Sequence, residues 1–311
     1  MGRPATAAIA VSCGAVAACL YLGIVLGSSG ALILVYLTQL PLFVAGLWLG
    51  AGAAAVAGAS GTLVLLGVYD LLGAAIFAAL NAGPVTLLVR RVLLARRRPD
   101  GSFAWYPPGL LTAWLTGLAL AGIAAAVLLL GGPDGLQAGL REMVAQVLDR
   151  IASRPVPNRE LVAEALATII PGVVAASWMV TTVANGALAQ GLLARFGANW
   201  RPSPPMAALA LPVWLTVALA GAAALTIFPG APRFIGLNMT IALFVAFCLG
   251  GLAVLHAAAR RLSQPTMALV SFYTVATLFG WPFMIVAVLG LLESWLGLRR
   301  RLAPQGAPID G

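Results

Sequence analysis

The sequence predicts an all-α polytopic membrane protein, a transmembrane helix bundle of eight to ten crossings with one periplasmic amphipathic helix. Apolar residues make up 61% of the 311-residue chain and charged residues 9%, with a mean hydropathy of +1.01. A soluble domain has roughly 45–50% apolar and about 25% charged residues. Apolar blocks long enough to cross the hydrocarbon core recur along the chain, and arginines cluster at their ends. These observations together indicate that lipid surrounds most of the chain.

The same composition excludes a cytosolic enzyme, a disordered chain and a secreted disulfide scaffold. All eighteen basic residues are arginine, and the net charge is +9. Because these arginines stand at the ends of apolar blocks, they indicate membrane topology, and we expect no nucleic-acid partner. The absence of lysine excludes a P-loop lysine and Schiff-base chemistry.

Nine blocks approach the roughly 20 residues that a spanning helix needs. Minimal turns join the first four, which predicts antiparallel neighbours. We expect residues 1–302 to form a single transmembrane domain and residues 303–311 a disordered tail. The blocks are 7–26, 31–50, 52–69, 71–89, 109–130, 162–190, 206–228, 235–256 and 266–292.

The arginine-rich loop at residues 90–104 sets the predicted orientation. It carries five arginines within residues 90–98, so the positive-inside rule places it in the cytoplasm. The four preceding blocks then place the N-terminus in the cytoplasm of a bacterial cell, with the protein in its inner membrane. A ninth full crossing would put Arg299–Arg301 outside, against the rule. Either 264–298 is a broken hairpin turning at Gly280-Trp281-Pro282 or an earlier block does not cross fully.

The external segment 131–161 carries a strong amphipathic pattern, which predicts a helix. Pro155 and Pro157 then end that helix, because proline removes a backbone donor. We expect the helix to lie among the lipid headgroups; the alternative is a lid over an outward-facing cavity. Its predicted apolar face consists of Leu136, Leu140, Met143, Val144, Val147, Leu148 and Ile151.

Polar side chains in the middle of apolar blocks are candidates for binding, because lipid offers them no partner. Asn81-Ala82-Gly83-Pro84 and Pro171-Gly172 predict broken helices, which point backbone groups at solutes in transporters. We expect Asn81, Asn185 and Gln190 to line a cavity as hydrogen-bond partners, with Trp178 as a stacking wall. The alternative is that these amides only join helices. The full mid-block set is Gln39, Asn81, Thr181, Thr182, Asn185, Gln190 and Asn238.

No catalytic or metal site is predicted. The three cysteines lie inside predicted helices, and the single histidine, His256, cannot assemble a zinc-type cluster. The carboxylates fall at or near block ends, not mid-membrane, and no membrane-protease motif is present. We therefore expect no enzymatic activity, no cofactor and no metal; a membrane enzyme acting on lipids would lack an acid–base pair.

Three stretches of the chain resemble a known family. They are Trp105-Tyr106-Pro107-Pro108-Gly109, the stretch from Asn185 to Arg201 with Pro202, and the tail from Phe279-Gly280-Trp281-Pro282 to Arg301. On these residues the chain resembles the YybS-like family of predicted bacterial inner-membrane proteins, which has no assigned function. That family is distantly similar to the S subunits of energy-coupling-factor vitamin transporters. The resemblance implies a helical membrane domain that takes a solute from outside and is driven by separate ATPase partners; it supplies no catalytic residues.

Two functions follow as hypotheses. The first is a transport-type protein that binds a small solute or lipid among its helices and docks ATPase or other membrane subunits through Arg96, Arg97 and Arg98. The alternative is a non-catalytic membrane scaffold or assembly factor. Its contacts would run through the same arginine loop and through the amphipathic segment 136–151.

Overall fold

The computed structural model describes residues 3–23, 29–151 and 157–301, and most of these residues are helical. A short π-helical segment covers Ala78–Ala82, and a 3-10 turn covers Met206–Ala208. The helices are α1 (Arg3–Tyr21), α2 (Ser29–Val35), α3 (Gln39–Leu49), α4 (Ala51–Val68), α5 (Leu71–Phe77), α6 (Gly83–Val92), α7 (Pro108–Leu129), α8 (Gly132–Ile151), α9 (Arg159–Arg195), α10 (Trp214–Leu225), α11 (Ala231–Ala259), α12 (Pro265–Phe279), α13 (Pro282–Leu296) and α14 (Leu298–Arg301). The predicted tail, 303–311, lies outside the described residues.

Among the described residues, six helical stretches are long and apolar enough to cross a membrane. The bent pair of α12 and α13 makes a seventh if it counts as one span. The apolar helices Ile33–Leu49 and Trp214–Leu225 are shorter. A total of eight to ten crossings therefore stays a prediction. The six stretches are Pro4–Tyr21, Ala51–Val68, Leu71–Val92, Pro108–Leu129, Arg159–Arg195 and Ala231–Ala259.

The break expected at Gly280-Trp281-Pro282 is present. α12 ends at Phe279, α13 begins at Pro282, and the chain turns through 118° between them. Gly280 has a φ of +71°, a left-handed conformation that glycine adopts without a Cβ clash. Pro282 then starts α13, where its missing N–H leaves no helical bond unmade.

The chain forms two compact units. Unit 1 comprises Met1–Leu111 and Val180–Pro204, and unit 2 comprises Thr112–Met179 and Pro205–Gly311. The first part of α9 therefore belongs to unit 2 and its last part to unit 1. The core of unit 1 includes the fully buried Leu42, Leu65 and Phe77, whereas that of unit 2 is built around Leu215 and Phe247.

Glycines permit the closest helix crossings within each unit. In unit 2 a Cβ on Gly251 would lie 1.8 Å from the Val286 carbonyl oxygen, and one on Gly290 would lie 1.9 Å from that of Phe247. In unit 1 a Cβ on Gly14 would lie 2.1 Å from the Ala57 carbonyl oxygen. These distances leave no room for a methyl group, so α11 packs against α13, and α1 against α4, with their backbones in contact.

The predicted amphipathic helix corresponds to α8. Leu136 and Val144, eight residues apart on one face, are buried, with relative exposures of 6% and 7%. Met143 and Val147 remain exposed at 50% and 46%. Gln137 fixes the helix to α9 by donating from Nε2 to Glu164 Oε1 at 2.6 Å and to Thr168 Oγ1 at 3.0 Å. Residues 152–156 of the predicted external segment lie outside the described residues, and the periplasmic position of α8 stays a prediction.

The arginine-rich loop contains a β-hairpin that the sequence did not predict. Strands β1 (Ala95–Arg97) and β2 (Phe103–Trp105) pair antiparallel, with Arg96 opposite Ala104. The turn is closed by Asp100, whose Oδ1 accepts from the hydroxyl and the N–H of Ser102 at 2.7 and 2.8 Å. These two hydrogen bonds lower the pKa of the Asp100 carboxyl. All three arginines at 96–98 are exposed.

Candidate functional site

The polar groups of unit 1 gather where the helix between residues 29 and 49 is broken. Residues 36–38 separate α2 from α3, and their N–H groups donate to carbonyls three residues back, as in a 3-10 turn. Asn185 on α9 reaches this turn from a distant part of the sequence. Its Nδ2 donates to the Tyr36 carbonyl oxygen at 2.7 Å and to the Thr181 carbonyl oxygen at 2.8 Å.

These two bonds fix the orientation of the Asn185 amide. Carbonyl oxygens only accept, so the atom that faces both of them must be the NH₂ group. The other end of the amide, Oδ1, is buried and has no hydrogen-bond partner, and the residue as a whole is 2% exposed. Asn185 therefore presents an acceptor oxygen, and its donors are already used.

Gln39, at the start of α3, repeats this arrangement. Its Nε2 donates to the Leu80 carbonyl oxygen at 3.2 Å. Leu80 stands four residues before Pro84, which has no N–H to donate to it, and the chain between them adopts the π-helical segment. Gln39 is 2% exposed, and its Oε1 is buried without a partner. Proline thus creates the acceptor that holds the Gln39 amide by its nitrogen.

Thr38, the residue before Gln39 in the sequence, adds a third buried oxygen. It is 2% exposed, and its Oγ1 has no partner. Thr38 lies in the α2–α3 break, Gln39 directly follows it, and Asn185 bonds the Tyr36 carbonyl oxygen within it, so all three residues lie around this break. We call Thr38, Gln39 and Asn185 the oxygen cluster. Each unpartnered buried acceptor costs about 1–3 kcal/mol, so the arrangement is suited to receiving hydrogen-bond donors or a cation.

The four predicted site residues, Asn81, Asn185, Gln190 and Trp178, lie in different surroundings. Asn185 belongs to the oxygen cluster, and Asn81 lies half-buried in the π-helical segment beside Leu80. Gln190 instead donates to the Arg201 carbonyl oxygen at 2.8 Å and to Ser203 Oγ at 3.3 Å, and so supports the loop after α9. Trp178 belongs to unit 2.

Two members of the cluster were missed as site residues. Gln39 was part of the mid-block polar set, and its position two residues before Pro41 was the available signal. Thr38 gave no signal, because a threonine hydroxyl in a helix ordinarily bonds a carbonyl of its own helix. That Thr38 lacks such a bond is visible only in the structure.

The break predicted at Pro171-Gly172 in unit 2 is absent, because α9 continues through Pro171 as one helix. The amide of Asn238 on α11 is inserted into the helical hydrogen bonds at this point. Its Oδ1 accepts from the Gly172 N–H at 2.6 Å, and its Nδ2 donates to the carbonyl oxygens of Thr168 and Phe234 at 2.9 and 2.7 Å. Both ends of this fully buried amide are bonded, so Asn238 joins two helices and offers nothing to a ligand.

Comparison with known proteins agrees with this membrane-type architecture. The sequence model of the DUF2232 family, described as a predicted membrane protein, matches residues 15–294. The chain belongs to the DUF2232 family. No curated protein and no solved structure matched the chain. This DUF2232 member is thus a membrane protein whose transmembrane-capable helices place it in a lipid bilayer.

In this DUF2232 protein a buried arginine holds the base of the hairpin. Arg201, 5% exposed, donates from Nη1 to the Val92 carbonyl oxygen at 3.0 Å and from Nη2 to the Tyr106 carbonyl oxygen at 2.9 Å. Its guanidinium also lies 5.9 Å from the centroid of the Trp105 ring, within cation–π range. Burial lowers the pKa of Arg201. The guanidinium is thus engaged by the fold of unit 1.

Unit 2 of this DUF2232 chain contains an open cavity of about 670 Å³ lined by residues that include Leu211, Gly250, Gly290 and Glu293. Its charged groups are already paired. Arg299 Nε lies 2.7 Å from Glu293 Oε1, and Arg299 Nη1 donates to the Ala207 carbonyl oxygen at 2.7 Å. Within the described residues, no group of three or more His, Cys, Asp or Glu side chains could hold a metal ion. The oxygen cluster therefore remains the candidate site.

Proposed function

We propose that this DUF2232 protein is a transport-type protein of the bacterial inner membrane that binds a small polar solute at the oxygen cluster. The observation that carries the proposal is that two buried amides form hydrogen bonds through their nitrogens but not through their oxygens. Gln39 and Asn185 each have a bonded nitrogen and an unpartnered oxygen. Binding of a solute needs no catalytic group, and neutral amide oxygens are side-chain groups that recognise a ligand by hydrogen bonding.

The comparison with Asn238 separates binding from simple helix joining. An amide that only joins helices is expected to bond at both ends, as Asn238 does. A joining role explains the nitrogens of Gln39 and Asn185 but leaves their oxygens buried at a cost in stability. A bound solute that donates to those oxygens removes that cost, which supports a binding role.

Two helix irregularities in unit 1 also support a transport-type function. One is the α2–α3 break, and the other is the π-helical segment within the continuous stretch Leu71–Val92. Transporters commonly form their substrate sites at helix breaks, and π-helical turns are frequent at functional sites. The proposal includes a cytoplasmic arginine hairpin, a cytoplasmic N-terminus, and energy supplied from outside the chain. The distant resemblance to S subunits of energy-coupling-factor transporters points to ATPase partners as that source.

The experiment is a thermal-unfolding screen of the purified protein in lipid nanodiscs against small polar solutes and lipids. A ligand that binds the folded state raises the Tm with its concentration. Gln39→Met, which removes the amide at nearly constant length, should weaken the response to that ligand about tenfold. The control is Gln146→Met on the exposed part of α8, which should leave it unchanged. Silence across the whole screen, or an equal loss in both variants, contradicts the proposal.

A second candidate, a scaffold or assembly factor, is favoured by the hairpin. The hairpin presents Arg96, Arg97 and Arg98 on an ordered and exposed surface, which suits docking of an acidic partner protein. Replacing these three arginines with Gln should then abolish co-purification of membrane partners while leaving the thermal response to solutes intact. Undiminished co-purification excludes the hairpin as the docking surface.

A further inference from the structure

We infer that the solute taken by the oxygen cluster is a monovalent cation, either a small metal ion or a protonated amine. This inference rests on the proposed function and names the ligand class of the same site. It is drawn from three properties of unit 1: which polar atoms are open, which are already used, and where the carboxylates lie.

The open atoms of the cluster can accept hydrogen bonds or coordinate a cation. The amide oxygens of Gln39 and Asn185 are acceptors only. The NH₂ group of Asn185 donates to two main-chain carbonyl oxygens, and that of Gln39 donates to one. The Thr38 hydroxyl can rotate to turn its lone pairs to a ligand. An anionic solute would meet the negative ends of two amide dipoles, so the cluster excludes anions.

The carboxylates of unit 1 decide the charge of the cation. Only Asp70 and Asp100 belong to the described part of unit 1, and both are engaged in local structure. Asp70 accepts from the Gly73 N–H at the start of α5, and Asp100 accepts from Ser102 in the hairpin turn. Divalent cations in proteins are generally held by carboxylates. A site made of neutral oxygens is therefore suited to a single positive charge.

The turn at residues 36–38 already uses its main-chain carbonyl oxygens. The Tyr36 oxygen accepts from Asn185 Nδ2, and the Leu37 oxygen accepts from the Leu40 N–H. The cation is therefore held by the side-chain oxygens of the cluster. A metal ion would use the oxygens as ligands, whereas a protonated amine would donate its N–H groups to them.

The test measures the Tm of the intact protein in nanodiscs made of zwitterionic lipid, in choline chloride at constant ionic strength. Choline has no N–H donor, and its three methyl groups keep the positively charged nitrogen out of contact with oxygen ligands. Choline is then replaced stepwise by Na⁺, by K⁺ or by methylammonium. We expect one of these ions to raise the Tm by about 5 °C at saturation. The ion with the lowest midpoint concentration identifies a metal ion or an amine as the ligand.

The variants use two threonines whose hydroxyl oxygens are buried without a partner. Thr38→Val removes only the unpartnered hydroxyl of the cluster and should raise the midpoint concentration about tenfold, with Thr38→Ser restoring it. Thr240→Val removes the unpartnered hydroxyl of Thr240 on α11 in unit 2, and it should leave the midpoint unchanged. An equal shift in both variants overturns the inference.

The remaining outcomes separate this inference from the proposed function. If a neutral or anionic solute raises the Tm through Gln39 while no cation does, the ligand class is wrong and the binding function stands. If neither cations nor any other solute changes the Tm, only ordered water satisfies these oxygens and both proposals fail.

Discussion

Asn238 places both ends of its amide on the main chain, whereas Asn185 places only its nitrogen there. The sequence shows these residues as equivalent, each an asparagine within an apolar block. The difference depends on Gly172, which lies so close to Asn238 that its N–H reaches the amide oxygen. An asparagine that joins helices can therefore be told from one that could bind a ligand only when the residues packed against it are known.

We expect Gly172→Ala to destabilise unit 2 by about 1–3 kcal/mol. A Cβ at residue 172 would lie 2.9 Å from the Asn238 Cα, so α9 and α11 would have to move apart and the inserted amide would lose its geometry. Gly117→Ala on α7 is the control, because a Cβ there meets no atom within 4 Å. Thermal or denaturant unfolding measures both variants; equal stability of the two would contradict the inserted-amide arrangement.

Thr38→Val should raise the stability of the solute-free protein by about 1 kcal/mol. The hydroxyl of Thr38 is buried without a partner, so its replacement by a methyl group of similar volume removes a cost. Thr116→Val is the comparison, since the buried hydroxyl of Thr116 donates to the Thr112 carbonyl oxygen at 2.8 Å. Unfolding midpoints in choline buffer should rise for the first variant and not for the second. A fall for Thr38→Val would show that its hydroxyl has a partner.

The β-hairpin shows how one element depends on another that is distant in sequence. Its strands have three residues each, too few to be stable alone. Arg201 supports the hairpin from 95 residues beyond Tyr106 and 109 beyond Val92. The local sequence pattern indicated the arginine cluster and the aromatic stretch at Trp105. It could not predict the strands, because Arg201, which stabilises them, is about 100 residues away in the sequence.

Arg201→Lys should loosen the hairpin. A lysine ammonium cannot reproduce the planar two-point contact to the Val92 and Tyr106 carbonyl oxygens or the contact with Trp105. Hydrogen exchange at Arg98 and Tyr106, whose N–H groups bond within the hairpin, should accelerate about tenfold. The control is Arg195→Lys, an exposed arginine at the end of α9, which should leave these rates unchanged. Unchanged rates in both variants would rule out Arg201 as the anchor.

For the whole molecule, the structure confirms the all-α fold class that the sequence predicts, whereas the count of eight to ten crossings stays a prediction. Apolar blocks located most long helices, and Gly280-Trp281-Pro282 located the 118° bend. Hydropathy alone did not show that 31–50 contains a break at residues 36–38. Nor did it show that 206–228 consists of a 3-10 turn, Met206–Ala208, and a short α-helix, Trp214–Leu225. At the first of these interruptions, Asn185 bonds the Tyr36 carbonyl oxygen from 149 residues away in the sequence, which no local pattern reveals.

We expect the hairpin and the α11–α12 connection to face the cytoplasm, and α8 to face the periplasm. Cysteines at Pro99, Ser263 and Ala138 probe these three segments in spheroplasts with a membrane-impermeant maleimide. Only Ala138→Cys should be labelled before lysis, whereas the other two should react only afterwards. Labelling of Pro99→Cys in intact spheroplasts would show that the orientation is the reverse of the predicted one. The native cysteines, Cys13, Cys19 and Cys248, are first replaced by Ala.

The way in which Arg201 is held has a consequence for the behaviour of the protein in acid. Its charge is balanced by peptide dipoles, and peptide groups do not take up protons at any pH that a cell meets. An arginine tied to a carboxylate would be released once that carboxylate became neutral. The link that Arg201 makes between the last turn of α6 and the residue after β2 should therefore persist in strongly acidic medium. Salt bridges between opposite charges would already be broken at that pH.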